Sequence, residues 1–125
     1  MRWARDAADT KTKAAYYPAL DKSTLVPDYI AEKSGHSRGA TVDLTLMRCD
    51  PRCEPLDMGT PFDFFDPLAH TGDPRITAMQ QANRQRLLKA MAAEGFVNYA
   101  QEWWHYSLRG TAPALDTPVQ PCGAR

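Results

Sequence analysis

Between Asp73-Pro74 and Gly95 the chain carries neither proline nor glycine, whereas residues 48–72 just before it hold Pro51, Pro55, Gly59, Pro61, Pro67 and Gly72. Aspartate before proline suits the cap and first position of a helix, and a glycine suits the position just past its end. The spacing predicts one long helix there. Ile76, Met79, Leu87, Leu88 and Met91 fall along one side, and Arg75, Arg84, Arg86 and Lys89 solvate the rest. A helix packed on a sheet is the plain reading of that stripe, and a methionine-lined cofactor groove is the alternative. The punctuated residues 48–72 read as a long ordered loop, its order supported by the aromatic group Phe62, Phe64 and Phe65. A loop of that length within a small domain is usually functional or disordered.

Shorter elements flank this pair. Arg2 to Ala15 reads as a helix that ends at Tyr16-Tyr17-Pro18, because proline disfavours helical geometry in the residue before it. From Ala40 to Leu46 the run ATVDLTL alternates, so a strand there puts Val42, Leu44 and Leu46 on one face and Thr41, Asp43 and Thr45 on the other. A carboxylate between two hydroxyl residues is unusual on a strand face unless that face lines a site. Phe96 to Leu108 reads as an aromatic-rich β segment, and the tail after Gly110 as irregular. Helix, loop, strand, long loop, helix, strand and tail make an α+β domain, a small antiparallel sheet packed against helices.

The 125 residues are about one domain's worth of chain. Fifteen basic residues balance 15 acidic ones, which leaves no electrostatic footprint for nucleic acid or an anionic membrane. The chain has no apolar run long enough to span a bilayer, and MRWARDAADTKTK has no apolar centre fit for a signal peptide. Three cysteines are too few for a disulfide scaffold. Cys49 and Cys53 can close a local disulfide, which would favour an oxidising compartment, or stay free thiols, so the compartment stays open.

The three histidines are His36, His70 and His105. A hydrolytic zinc site needs three imidazole or carboxylate ligands and one open position. His36, Asp43 and His105 supply that count. His36 and Asp43 are an odd number of residues apart and would face opposite ways on one strand, so His36 has to come from a turn through Ser37, Arg38 and Gly39. Glu102 and His105 likewise need a bend near Trp103 or Trp104 to reach one point. By themselves these pairs also fit a chance histidine and aspartate, a half-buried His105 bonded to a backbone carbonyl, and a surface Glu102.

Two segments weight the choice. SGHSRGATVDLTL and EWWHY resemble the signature segments of the D-alanyl-D-alanine dipeptidases of the vancomycin-resistance type, S-x-H-x-x-G-x-A-x-D and E-x-W-H. MGTPFDFFD and ANRQRLL are also similar to that family, so the resemblance runs from about Tyr16 to Leu108. It implies one Zn²⁺ held by His36, Asp43 and His105, Glu102 as general base, Asp63 on the substrate ammonium, and Ser34 near the substrate carboxylate. It leaves His70 structural and gives Arg38 the task of bracing the turn. Thr41 departs from the pattern's alanine, and neither Arg2 nor Arg5 matches the family's upstream D-x-Y-R-P arginine, so the chain is expected to be one zinc D,D-dipeptidase domain over 1–125, shortened at its N-terminus.

The activity implied is hydrolysis of the small molecule D-Ala-D-Ala, with Asp63 as a buried carboxylate that admits only a free amine. A D,D-carboxypeptidase or other peptidoglycan peptidase with the same site, and an inactive zinc-binding fragment, are the alternatives. A structural zinc site on Cys49, Cys53 and a histidine is a third, poorly matched by the spacing. Oligomeric state is not encoded in any of these motifs.

Overall fold

The computed structural model describes residues 8–26, 29–30 and 35–110. Within them the regular elements are α1 (Lys13–Tyr16), β1 (Thr41–Asp43), β2 (Met47–Cys49), β3 (Cys53–Pro55), α2 (Ala78–Ala93), β4 (Phe96–Asn98) and β5 (His105–Leu108). One antiparallel sheet has the order β1-β5-β4, and β2-β3 forms a separate hairpin. The architecture is α+β, as the sequence implies, but the elements are shorter. The helix expected from Arg2 falls partly outside the described residues, and the rest is helical only over α1.

The strand expected over Ala40–Leu46 stops at Asp43, and Val42 is exposed rather than buried with Leu44 and Leu46. Past Asp43 the chain turns into the hairpin, so Leu44 and Leu46 reach the core from outside the sheet. Residues 48–72 are not loop throughout either: β2 and β3 pair Cys49 with Cys53, and the two sulfurs form a disulfide. Thiolates for a structural zinc site on those cysteines are thereby removed.

The long helix starts four residues later than expected. Thr77 caps it through a reciprocal box with Gln80, while Asp73 instead binds the backbone and guanidinium of Arg75 in the preceding turn. The box satisfies two of the amides that a helix start leaves unpaired, which Asp73 does not do from its position. Gly95 follows the helix end with φ 82°, a conformation that side chains resist.

Arg84 is the larger correction, because it is fully buried rather than solvating the helix. Its guanidinium donates to the carbonyls of Met58 (2.7 Å), His70 (2.6 Å) and Leu68 (3.1 Å). Asn83 and Gln80 add bonds to the backbone carbonyl and the carboxylate of Asp57. A segment without a sheet partner must find donors for its carbonyls elsewhere, and one planar guanidinium offers several. Burial lowers the pKa of Arg84 to about 10, and the charges of Asp73 and Asp57 oppose that shift. The polar side of α2 thus grips the loop, while Leu87 joins Met58, Ala69, Trp103, Trp104 and Tyr106 in the core. Each tryptophan buries on the order of 200 Å², worth at most about 5 kcal/mol.

Candidate metal centre

Strand register brings the first two donors together. Antiparallel pairing sets Asp43 directly opposite His105 and Thr41 opposite Ser107, so all four side chains share one face of the sheet. Thr41 and Ser107 bond hydroxyl to hydroxyl at 2.9 Å. His36 arrives from the short 3-10 turn Gly35–Arg38, which Gly39 closes at φ 67° in open space. The turn expected from the sequence is therefore present, and the imidazole lies against the same face. Arg38 does not brace it: the side chain is exposed, and among the described residues its guanidinium makes no hydrogen bond.

Phe96–Leu108 is two strands rather than one, joined by a turn that supplies the expected bend. Tyr99 and His105 are bridged by Tyr99 N–H donating to the His105 carbonyl, and Glu102 N–H donates to the Tyr99 carbonyl. Glu102 sits in that turn and His105 opens β5, which brings Glu102 Oε2 to 3.4 Å from His105 Nδ1. Asn98, on β4, donates from its side-chain amide to the carbonyls of both Glu102 and His105 at 3.0 Å. The Thr71 hydroxyl donates to the side-chain amide oxygen of Asn98 at 2.5 Å.

His36, Asp43 and His105 offer one ligand atom each within 4.8 Å of one another. His36 Nε2 is 3.4 Å from Asp43 Oδ2, and His105 Nδ1 is 3.2 Å from Asp43 Oδ1. Ligand atoms about 2.0–2.2 Å from a tetrahedral zinc lie about 3.3–3.6 Å apart; the two short edges, which end on different Asp43 oxygens, are close to that spacing, while the set as a whole spans up to 4.8 Å. The donor chemistry agrees. His36 Nδ1 lies 3.1 Å from the Thr41 carbonyl, which can only accept, so the proton sits on Nδ1 and the Nε2 lone pair faces the Asp43 carboxylate. A lone pair aimed at a carboxylate calls for a cation or a proton between them.

The electrostatics follow the same grouping. Burial raises the Glu102 carboxyl to about 7; His105 opposes the shift, and Asp43 and Asp63 add to it. For His105, burial is the largest single influence and pulls the pKa down, but the Asp43 hydrogen bond and the charges of Glu102 and Asp43 together raise it.

Asp63 lies near the cluster, with its carboxyl raised by partial desolvation and by the Asp43 charge, and lowered by His36. It is not the buried carboxylate expected, since its side chain remains accessible. Its backbone takes φ 55°, uncommon for a residue with a side chain though aspartate tolerates it. No salt bridge to Asp63 exists among the described residues. Ser34 lies outside the described residues. His70 stacks on Tyr29 at the end of a 3-10 turn, away from the three donors.

Asn98 and Thr71 escaped the sequence reading, and Arg84 reads there as solvated. The available signal was an asparagine, a poor strand former, inside an aromatic β segment four residues before Glu102.

Two imidazoles and a carboxylate beside a buried glutamate form the kind of donor set that metallopeptidases use. The chain belongs to the D-ala-D-ala dipeptidase family, whose pattern matches residues 1–121. It is 43% identical over 110 residues to a D-alanyl-D-alanine dipeptidase of Enterococcus faecium, and equally so to one of Streptomyces coelicolor; each alignment covers 87% of this chain and 54% of the relative. A D-alanyl-D-alanine dipeptidase of Escherichia coli is 39% identical over 85 residues, 66% of this chain and 43% of the relative. The chain spans about half the length of the curated relatives it matches.

Proposed function

We propose that residues 1–125 form a zinc D,D-dipeptidase domain that hydrolyses D-Ala-D-Ala, with His36, Asp43 and His105 holding one Zn²⁺. The observation that carries this reading is the convergence of those three donors within 4.8 Å, with the Glu102 carboxylate 3.4 Å from His105. Zinc in such a donor set supplies Lewis acidity toward water and toward a peptide carbonyl. Glu102 is the general base: it stands beside the donors without being needed as one, and its carboxylate accepts a proton from water and returns it to the leaving amine. In the metal-free protein burial raises its carboxyl to about 7, and a Zn²⁺ held by the neighbouring donors would favour the carboxylate form that a general base needs.

Asp63 receives the substrate ammonium. Its carboxyl is disfavoured as an anion by partial desolvation and by Asp43, and an ammonium beside it would offset both. Ser34, two residues before His36, is assigned to the substrate carboxylate on its place in the signature segment alone. The Cys49–Cys53 disulfide favours an oxidising compartment for the domain. Among the described residues no helix is long and apolar enough to cross a membrane.

The accessibility of Asp63 favours a second reading, a D,D-carboxypeptidase, because an accessible carboxylate penalises a blocked amine less than a buried one. Hydrolysis of D-Ala-D-Ala measured against its N-acetylated counterpart separates the two. The dipeptidase reading expects the free dipeptide to be preferred at least ~10-fold, with Asp63→Asn removing most of that preference. Preference for the acetylated substrate overturns it.

A further inference from the structure

We propose that Asn98 is a positioning residue of the metal centre, clamping the turn that aims Glu102 and His105 at one point. The inference rests on the metal reading above and concerns a residue outside its donor set. A spacing of three splits two side chains across a flat strand, so the shared direction of Glu102 and His105 depends wholly on the shape of the turn. Asn98 donates to the carbonyl of each, at 3.0 Å in both cases, and so spans the turn from one end to the other.

The orientation of its amide is fixed by chemistry. Both backbone carbonyls can only accept, so the nitrogen end must face them. The oxygen end then needs a donor, and the buried Thr71 hydroxyl supplies it at 2.5 Å. Thr71 also donates its own N–H to the Ala100 carbonyl inside the same turn, at 2.9 Å. One amide and one hydroxyl therefore tie the Glu102–His105 turn to the loop that α2 holds through Arg84, since the neighbouring His70 carbonyl accepts from that guanidinium.

Asn98→Asp tests this, because it keeps the shape and the acceptor toward Thr71 but replaces both donated bonds with repulsion. Zinc affinity, measured by competition with a chromophoric chelator, is expected to fall ~10–100-fold while saturating zinc still binds at one per chain. The visible spectrum of the Co²⁺-loaded protein should change with it, a signature that loss of stability alone does not move. Thr71→Val, milder and less exposed to misfolding, should weaken zinc several-fold in the same direction. In metal-free protein, amide exchange at Glu102 and His105 should quicken in both variants. Zinc affinity and Co²⁺ spectra equal to the parent's in folded Asn98→Asp overturn the proposal, as does unchanged exchange across the turn. A parent that binds no zinc would instead defeat the metal reading, and exchange would still decide whether Asn98 holds the turn.

Discussion

The two arms of the candidate site are built unlike each other. His105 and Glu102 stand on a turn between paired strands, backed by the buried Trp103 and Trp104 and bonded through Asn98 and Thr71. His36 and Asp43 come from a one-turn 3-10 segment and a three-residue strand, with side chains 40% and 35% exposed. One arm is held by the protein, so its geometry exists before any ligand arrives. In the other, strand register sets Asp43 and the His36 imidazole bonds to the Thr41 carbonyl. The candidate site therefore joins a buried, hydrogen-bonded half to a more exposed one.

Removing a donor from either arm is the severest break. His36→Ala and His105→Ala should each reduce bound zinc from about one per chain to near zero by elemental analysis. Their effects on the metal-free fold should differ: His36→Ala changes an exposed side chain and should leave the unfolding free energy, read from thermal melts, within about 1 kcal/mol of the parent, whereas His105→Ala alters the more buried arm and should lower it more. Equal thermal losses would erase the distinction between the arms.

Glu102→Gln should keep the zinc and reduce turnover at least ~10²-fold, since a positioned base is lost while the donors stay. A rate equal to the parent's with zinc bound would remove Glu102 from the mechanism. The same variant sharpens the comparison without metal. A glutamate raised to about 7 in the folded protein binds its proton there more tightly than in the unfolded chain. Its contribution is thus fully present below the ordinary glutamate range and lost as pH rises through about 7, and the raised His105 acts in the same direction. The metal-free parent should lose on the order of 3 kcal/mol between pH 5 and pH 8, and Glu102→Gln should remove most of that dependence. A parent whose melting is flat across this range would contradict the buried, protonated Glu102.

Arg84→Met tests what holds the buried arm from behind. It leaves the carbonyls of Met58, Leu68 and His70 without their donor and should cost roughly 3 kcal/mol in denaturant unfolding. If the loss stays under about 1 kcal/mol, the loop is held by its apolar contacts instead.

How much of this was legible in the sequence varies with the range of the interactions involved. The strand at Thr41–Asp43, the glycine that closes the His36 turn and the bend needed between Glu102 and His105 are local matters, and the structure has all three, although Val42 is exposed where alternation would bury it. The helix start was misplaced because Asp73-Pro74 and Thr77 are both plausible caps, and only Gln80 folding back onto Thr77 decides between them. Arg84 read as solvated because its partners lie 14 to 26 residues away in a loop with no periodic pattern. Asp63 read as buried because the motif gives its identity, whereas the protein mass around it depends on how the loop packs.

The amino-acid sequence by itself determined the donor types, the family and the local turns, since these depend on residue identity and on neighbours a few positions apart. Only the tertiary structure decided that Asp43 faces His105 across a strand pair, that Asn98 clamps the turn beside them and that Arg84 anchors the loop behind. Register and buried hydrogen bonds join residues far apart along the chain, and their partners are fixed only when the core closes.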